Sequence, residues 1–385
     1  MTRKIRMGMI GGGAGAFIGA IHRYASRGDG LIELVCGAFS SDPNVAIQSG
    51  ADLGLPPERV YRSYTDMFVH EASLPEGERM DFVAIVTPNH VHFDPAMMAL
   101  DHGFHVFLEK PMTLNLEEAK QLDKKVRETG LLFGLAHTYT GYPMVREARE
   151  RVASGAIGTV RKIFVNYHQG WLSELSEKEG NKQASWRTDP AKSGQCGAMG
   201  DIGTHAFNLM EYISGLEVIE LCAVLNIVVP GRALDDDGTV IFKMNNGATG
   251  TLTASQVAAG EENALILKIY GDKGGIEWHQ MEPNTLLLKL SDGPMQVIRA
   301  GTPFIGAQAQ FNSRTPSGHP EGYLEAFANL YKNFGTLVAD RISNRNKSNP
   351  IVWLPGIKEG VRGMAFLDNV VKSHLSSEKW QTFEI

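Results

Sequence analysis

Residues 7–17 read Met-Gly-Met-Ile-Gly-Gly-Gly-Ala-Gly-Ala-Phe. Met7 to Ile10 is a short apolar run that predicts a strand, and Phe17 to Arg23 predicts the start of a helix. A strand that passes through glycines directly into a helix is the context in which G-x-G-x-x-[GA] holds a dinucleotide, here with Gly11, Gly13 and Ala16 in register. Gly11 permits the tight turn, Gly13 lets the backbone approach a diphosphate, and Ala16 keeps the helix close to the sheet. Free N–H groups and the helix dipole then attract the anion. Gly11, Gly13, Ala14, Gly15, Ala16 and Phe17 are therefore the expected diphosphate contacts. A bare glycine-rich turn is the plain alternative, and the strand-to-helix context argues against it.

Outward from this loop, the same grammar repeats. Leu31–Ala38, Phe82–Val86, His105–Leu108 and Leu131–Leu135 are apolar runs without polar alternation, as in strands buried on both faces. Between the last two lies Asn115–Gly130. There Leu116, Ala119, Leu122 and Val126 recur at helical spacing, Asn115 and Glu118 form a capping box, and Gly130 supplies the stop. Strand–helix repetition predicts a doubly wound parallel sheet of Rossmann type.

Beyond about residue 158 the pattern changes. Thr239–Met244 and Ala248–Val257 flank Asn245-Asn246-Gly247, a hairpin signal. Ala264–Tyr270, Ile276–Trp278 and Asn284–Leu290 follow, with Gly274-Gly275 and Asp292-Gly293 as turns. Tyr323–Leu337 is a helix with Leu324, Phe327, Leu330 and Phe334 on one face. The expected fold is α/β: a Rossmann domain over 1–137, then a domain over 138–385 with a large open, mainly antiparallel sheet.

Composition narrows the function classes. The chain has 385 residues, enough for two or three domains at about 150 residues each. With 43% hydrophobic and 21% charged residues, it is neither disordered nor fibrous. Lys+Arg is 37 against Asp+Glu 43, a net charge of -6 with no basic tract, which speaks against nucleic acid and anionic membrane as partners. Cys36, Cys196 and Cys222 form no C-x-x-C pair, so neither a disulfide framework nor a zinc site is expected, and a reducing compartment is. The apolar stretch Leu221–Val229 contains Asn226 and is far shorter than the roughly 20 residues of a membrane span. Arg3, Lys4 and Arg6 lead into glycines rather than a signal-peptide core, and a cytoplasmic protein is expected.

An acidic residue for the adenosine ribose is expected about 20 residues after the glycines. The sequence there reads Ala38-Phe39-Ser40-Ser41-Asp42-Pro43. Asp42 on the 2′-hydroxyl favours NAD. Ser40 and Ser41 on a 2′-phosphate are the NADP alternative, but no Arg or Lys adjoins them to balance the charge. NAD is the expected cofactor.

Three further clusters carry chemistry. Thr87-Pro88-Asn89, with His90 and His92, lies at the carboxyl end of a buried strand, where open α/β sheets bind ligands. Glu109-Lys110-Pro111 ends another strand. Asp201 and His205 stand four apart after Gly194, Gly197 and Gly200, so on a helix they share a face. Taken singly, these are a turn, a surface ion pair and a helix cap with a satisfied histidine; a zinc site at Asp201 and His205 finds no third or fourth ligand.

Together, in this order, the glycine loop, T-P-N-x-x-H, E-K-P and D-x-x-x-H resemble the Gfo/Idh/MocA oxidoreductases over essentially the whole chain. The resemblance implies a Rossmann domain, an open C-terminal sheet that mediates homo-oligomer contacts (a dimer or tetramer), and Lys110, Asp201 and His205 as the catalytic trio. It also implies cofactor contacts from Thr87, Pro88, Asn89, His92, Glu109 and Lys110. The residue chemistry agrees: His205 accepts the hydroxyl proton, Lys110 polarises and relays, and Asp201 orients, with the first two roles open to exchange.

Substrate determinants follow. Trp186-Arg187 pairs an indole face with a donor fork, suited to polyol rings. His137, Tyr139 and His319, with Lys110, Asp201 and His205, complete the expected substrate contacts; Tyr142 is expected to line the cleft with His137 and Tyr139, and His168 and Trp171 are weaker candidates. The expected activity is NAD(P)-dependent oxidation of a ring hydroxyl on a sugar, a glycoside (at C3) or a cyclitol. The alternatives are an inositol dehydrogenase, a glycosidase acting by transient oxidation and elimination, and a non-catalytic NAD-binding sensor.

Overall fold

A computed structural model describes residues 3–343 and 349–385. The chain divides into two compact units, one of residues 1–113, 117–138 and 323–361, the other of 114–116, 139–322 and 362–385.

The first unit runs β1 (Ile5–Ile10), α1 (Phe17–Arg27), β2 (Ile32–Ala38), α2 (Pro43–Asp52), α3 (Tyr64–Ser73), β3 (Phe82–Ile85), α4 (Phe93–Asp101), β4 (His105–Leu108), α5 (Leu116–Thr129) and β5 (Phe133–Leu135). Its five strands are parallel in the order β2-β1-β3-β4-β5. Ile5, Met7 and Met9 of β1 and every residue of β3 are buried, as expected of strands with helices on both faces. Because β2 and β3 flank β1 on opposite sides, the connections diverge at the carboxyl end of β1, the switch point where such sheets bind ligands.

The second unit contains α6 (Pro143–Ala153), β6 (Val160–His168), the short helices α7 (Lys182–Arg187) and α8 (Pro190–Ser193), a π-helical turn over Met199–Gly203 and α9 (Thr204–Ser214). Strands β7 (Val218–Asn226), β8 (Asp237–Met244), β9 (Thr249–Ser255), β10 (Ala264–Gly271), β11 (Gly274–His279), β12 (Thr285–Leu290) and β13 (Gln296–Arg299) follow. The chain closes with α10 (Ala307–Phe311), α11 (Tyr323–Ile342), α12 (Ile357–Leu375) and β14 (Trp380–Thr382). Nine strands form one sheet, β13-β12-β11-β10-β6-β9-β8-β7-β14, antiparallel except where β6 meets β9. The expected hairpin is present, with Gly247 at φ +87 and its amide donating to Met244 O at 2.9 Å. Along β8, Val240, Phe242 and Met244 are buried while Ile241 is 43% exposed, so one sheet face is covered and the other open.

One expectation differs. The cut at 137/138 assigns the Tyr323 helix to the C-terminal domain, but α11 packs with the first unit. Its stripe of Phe327, Leu330, Tyr331, Phe334 and Val338 joins the core built on Ile5, Met7, Phe82 and Phe107. Phe334 meets Phe82 and Phe107 at centroid distances of 5.1 and 5.4 Å. The stripe announces burial; it carries no information on which sheet it covers.

Candidate active site

In the first unit the glycine loop leaves the switch point at β1. Gly11 and Gly12 take φ of +79 and +72, and the amides of Gly11 and Gly13 donate to Ala38 O and Phe39 O at 2.9 and 3.0 Å. The division of labour among the glycines differs from the expected one. A Cβ on Gly13 would lie 2.8 Å from both Phe39 O and Ser49 Oγ, so Gly13 serves close packing of the loop on β2 and α2. A Cβ on Gly19 would lie 2.3 Å from Gly12 Cα, so Gly19, rather than Ala16, lets α1 approach the loop. Gly15 has φ +80 and open space where a Cβ would point, and the amides of Gly12 and Gly15 have no acceptor among the described residues. Positive-φ backbone, unspent amides and a helix start together fit a diphosphate.

Asp42 caps α2, its Oδ1 accepting from Asn44 N at 2.8 Å, and Ser40 Oγ accepts from Asp42 N at 3.1 Å. Asp42 and Ser41 are exposed, and the carboxylate's second oxygen is outside the cap bonds.

At β3, Thr87 Oγ1 donates to Val91 O at 2.9 Å and Asn89 is buried. His92 is fully buried, its ring nitrogens 2.9 Å from Pro111 O and 2.8 Å from Thr87 O. It thus braces the Thr87 loop against the Lys110 loop. Burial lowers its pKa more than the two carbonyls raise it.

At β4, Glu109 is equally inward. Its Oε1 is 2.7 Å from His22 Nε2, its Oε2 accepts from Lys110 N at 2.9 Å, and His22 Nδ1 is 2.6 Å from Tyr331 OH on α11. Burial pushes the carboxyl up, but the His22 hydrogen bond and the charges of His22 and Lys110 outweigh it and hold Glu109 below its ordinary value. Glu109 thus braces the Lys110 backbone. Lys110 is half-buried and its bond to Pro111 is cis. His137, just past β5, is pushed down to about 3 by burial and then by the Lys110 charge, so it is neutral at physiological pH. Removing the hydrogen-bond partner of a buried carboxylate leaves it unsatisfied, so His22→Ala should destabilise the protein by about 2–3 kcal/mol in urea denaturation. A loss below about 0.5 kcal/mol would show that the Glu109 carboxylate does not depend on His22.

In the second unit, Asp201 sits in the π turn and His205 one turn on in α9, not on a single regular α-helix as expected. π turns recur at functional sites. Asp201 Oδ2 accepts from Arg187 Nε at 3.1 Å and Gln256 Nε2 at 2.9 Å. The Arg187 guanidinium lies 4.2 Å from the Trp186 ring centroid and 6.0 Å from that of Trp171. His205 is 8% exposed, and its ring packs edge-on against Tyr139 at 4.8 Å, with Tyr167 at 6.4 Å. Burial raises the Tyr139 pKa despite its hydrogen bonds to Tyr167 and Asn263.

Four residues that the sequence reading passes over complete this cluster. The hydroxyls of Tyr167 and Tyr139 share a hydrogen bond, and Tyr167 donates to Asn263 Oδ1 at 2.7 Å. Gln169 Nε2 donates to the same oxygen at 2.7 Å, while its Oε1 accepts from Trp171 at 3.0 Å and from Gln256 at 3.3 Å. Tyr167 and Gln169 were signalled only by alternation near the end of β6; Gln256 and Asn263 by nothing local. His319 is exposed in a turn where its carbonyl accepts from Thr315 Oγ1.

A switch-point loop built for a dinucleotide and a carboxylate–histidine turn beside indoles define an NAD-dependent oxidoreductase. The chain belongs to the Gfo/Idh/MocA family: residues 5–137 match the oxidoreductase family NAD-binding Rossmann fold, and 145–277 match the GFO/IDH/MocA C-terminal domain. It is similar to an oxidoreductase from Sinorhizobium meliloti, 43% identical with TM-score 0.89, covering 99% of this chain and 100% of that one. An inositol dehydrogenase homolog from Azotobacter vinelandii, solved with NADH and myo-inositol, is 30% identical with TM-score 0.92, covering 100% and 98%. Levoglucosan dehydrogenase of Pseudarthrobacter phenanthrenivorans is 27% identical over 71% of this chain and 73% of its own. This is a family of NAD-dependent sugar and cyclitol oxidoreductases. No helix among the described residues is long and apolar enough to cross a membrane.

Proposed function

We propose that the protein oxidises a ring hydroxyl of an uncharged sugar, glycoside or cyclitol, with C3 of a glycoside as the preferred position and NAD as the acceptor. The observation that carries this reading is the Asp201–Arg187–Trp186 assembly. Arg187 is neutralised by Asp201 and backed by an indole, so it offers donors to hydroxyls rather than an unbalanced cation to a phosphate. Trp171 and Trp186 offer apolar faces to a ring.

The loop of Gly11, Gly13, Ala14, Gly15, Ala16 and Phe17 would carry the diphosphate, with the unspent Gly12 and Gly15 amides as donors, Asp42 would hold the ribose, and Thr87, Pro88 and Asn89 the nicotinamide half. Bound NAD supplies the hydride acceptor. His205 takes the proton from the hydroxyl, Lys110 holds the same oxygen and relays the proton, and Asp201 orients the ring; the roles of Lys110 and His205 are interchangeable in chemistry. Similarity to the proteins named for inositol and levoglucosan supports the substrate class. A homo-oligomer joined through the open sheet face, where Val224 and Ile241 are exposed, belongs to the same reading, as does a cytoplasmic location.

A panel of sugars, glycosides and inositols with NAD+ and NADP+ tests this, read by reduced-cofactor absorbance and product NMR. One neutral substrate should accumulate NADH and a ring ketone, and His205→Ala should lower kcat about a hundredfold or more. A second reading, transient oxidation followed by elimination, draws on a 2,7-anhydro-N-acetylneuraminate hydratase of Mediterraneibacter gnavus, 27% identical over 43% of this chain. It would release an eliminated or hydrated product without net NADH. Activity confined to phosphorylated or carboxylated sugars would refute the neutral-substrate assignment.

A further inference from the structure

Two adjacent acidic residues, Asp235 and Asp236, lie outside the groups given a chemical role above. We infer that Asp235 is the positioning residue that fixes the π turn carrying Asp201 and leading into the His205 helix, while Asp236 holds Gln256 and the Trp171 segment in register with that turn. This rests on the catalytic reading of Asp201 and His205.

Asp235 takes three successive amides. Gly197 N donates to its Oδ1 at 2.7 Å, Ala198 N to its main-chain carbonyl at 2.8 Å, and Met199 N to its Oδ2 at 2.8 Å. Those are the residues that lead into the turn at Met199–Gly203. The approach is so close that a Cβ on Gly197 would lie 2.1 Å from Asp235 O, which explains the glycine. Only a carboxylate presents two acceptors to two diverging N–H groups. An amide would turn an NH2 toward one of them.

Asp236 works in the other direction. Its Oδ1 accepts from Val228 N at 2.7 Å, and its Oδ2 from Val229 N at 2.9 Å and Arg232 Nη1 at 3.0 Å. Arg232 is 9% exposed and donates to Leu172 O and Glu174 O, each at 2.7 Å, and to Glu177 Oε1 at 3.1 Å. It therefore pins the segment that follows Trp171. The Asp236 carbonyl accepts from Gln256 N at 2.9 Å, and the Gln256 side chain donates to Asp201. One dipeptide thus anchors the carboxylate, the imidazole-bearing helix and the indole. Charge reaches Asp235 from Asp236, and it faces the buried Cys196 thiol; burial first, then Asp236, pushes its carboxyl up to about 6. Perturbation of this kind is common in functional sites.

The test uses the full chain at about pH 8, where Asp235 is ionised. In Asp235→Asn, hydrogen exchange of amides 197–199 should accelerate about ten- to hundredfold, the equivalent of one lost charge-assisted hydrogen bond. NAD+ binding by calorimetry and protection of β3 and β4 should stay unchanged. With the substrate found in the panel, kcat should fall about tenfold or more and KM should change by less than about threefold; Asp235→Glu, which keeps the carboxylate, should recover part of the rate. Unchanged exchange at 197–199, faster exchange there with wild-type kcat, or exchange raised uniformly across the second unit would each overturn the inference. Should Asp235→Asn not fold, Asp235→Glu alone decides, since it must shift kcat without KM. Failure of the catalytic reading is separately visible as wild-type turnover in His205→Ala, which leaves the exchange result untouched.

Discussion

Lys110→Met should lower kcat by about a hundredfold or more while NAD+ still binds. Methionine keeps the length and flexibility of the lysine stem, with a thioether sulfur in place of one methylene, and lacks the ammonium group. The backbone at this position is held independently, because the buried Glu109 carboxylate accepts the Lys110 amide and is itself held by His22. Loss of rate therefore reports the missing donor rather than a displaced loop. Calorimetry for NAD+ and single-turnover kinetics separate the two: chemistry slows, affinity does not. Turnover within about threefold of wild type would remove Lys110 from the proton transfer.

The second large effect is acid lability of the first unit. Burial, then the Lys110 charge, pushes His137 down to about 3; burial, then Arg341, pushes His105 down to about 4; burial also lowers His92. Unfolded, each imidazole titrates near about 6.5. As pH falls below that value the unfolded chain takes up protons that the folded unit refuses, so stability is lost progressively toward the folded pKa values. Glu109 acts in the same direction at lower pH, since its depressed pKa makes its contribution vanish as it is protonated. Summed between neutrality and about pH 4, the loss is on the order of several kcal/mol, a large share of a typical domain's stability. Urea midpoints measured across that range, with exchange of β3 and β4 to report on this unit, should fall steadily. A flat profile from pH 7 to about pH 5 would show that these imidazoles are hydrated rather than buried.

Much of the first sheet was legible because its strands are apolar on both faces and stop at glycines or motif residues. β4 was expected at His105–Leu108 and occurs there. β6 was passed over because its outward residues, Arg161 and Lys162 among them, dilute a half-buried alternation that reads as loop. The extent of each unit was not legible, since α11 advertises an apolar stripe without its address. In the candidate site, Lys110, Asp201 and His205 stood out through type and spacing. The π turn and the Gln256 and Asn263 contacts did not, because they depend on backbone geometry and on partners far away in sequence. His22 and Tyr331, 309 positions apart, could be joined only by the fold. Glu109 and His92 show what a motif does not announce: both are buried and brace neighbouring loops.

The docking of α11 beneath β1 has a consequence for how the molecule is made. During synthesis the nucleotide-binding strands leave the ribosome long before the segment that covers Phe82 and Phe107. Until that segment arrives the nascent sheet presents aromatic surface to solvent or to a chaperone. Genes split after codon 137 would accordingly yield an insoluble fragment, whereas one that restores the late helix in trans would rescue it.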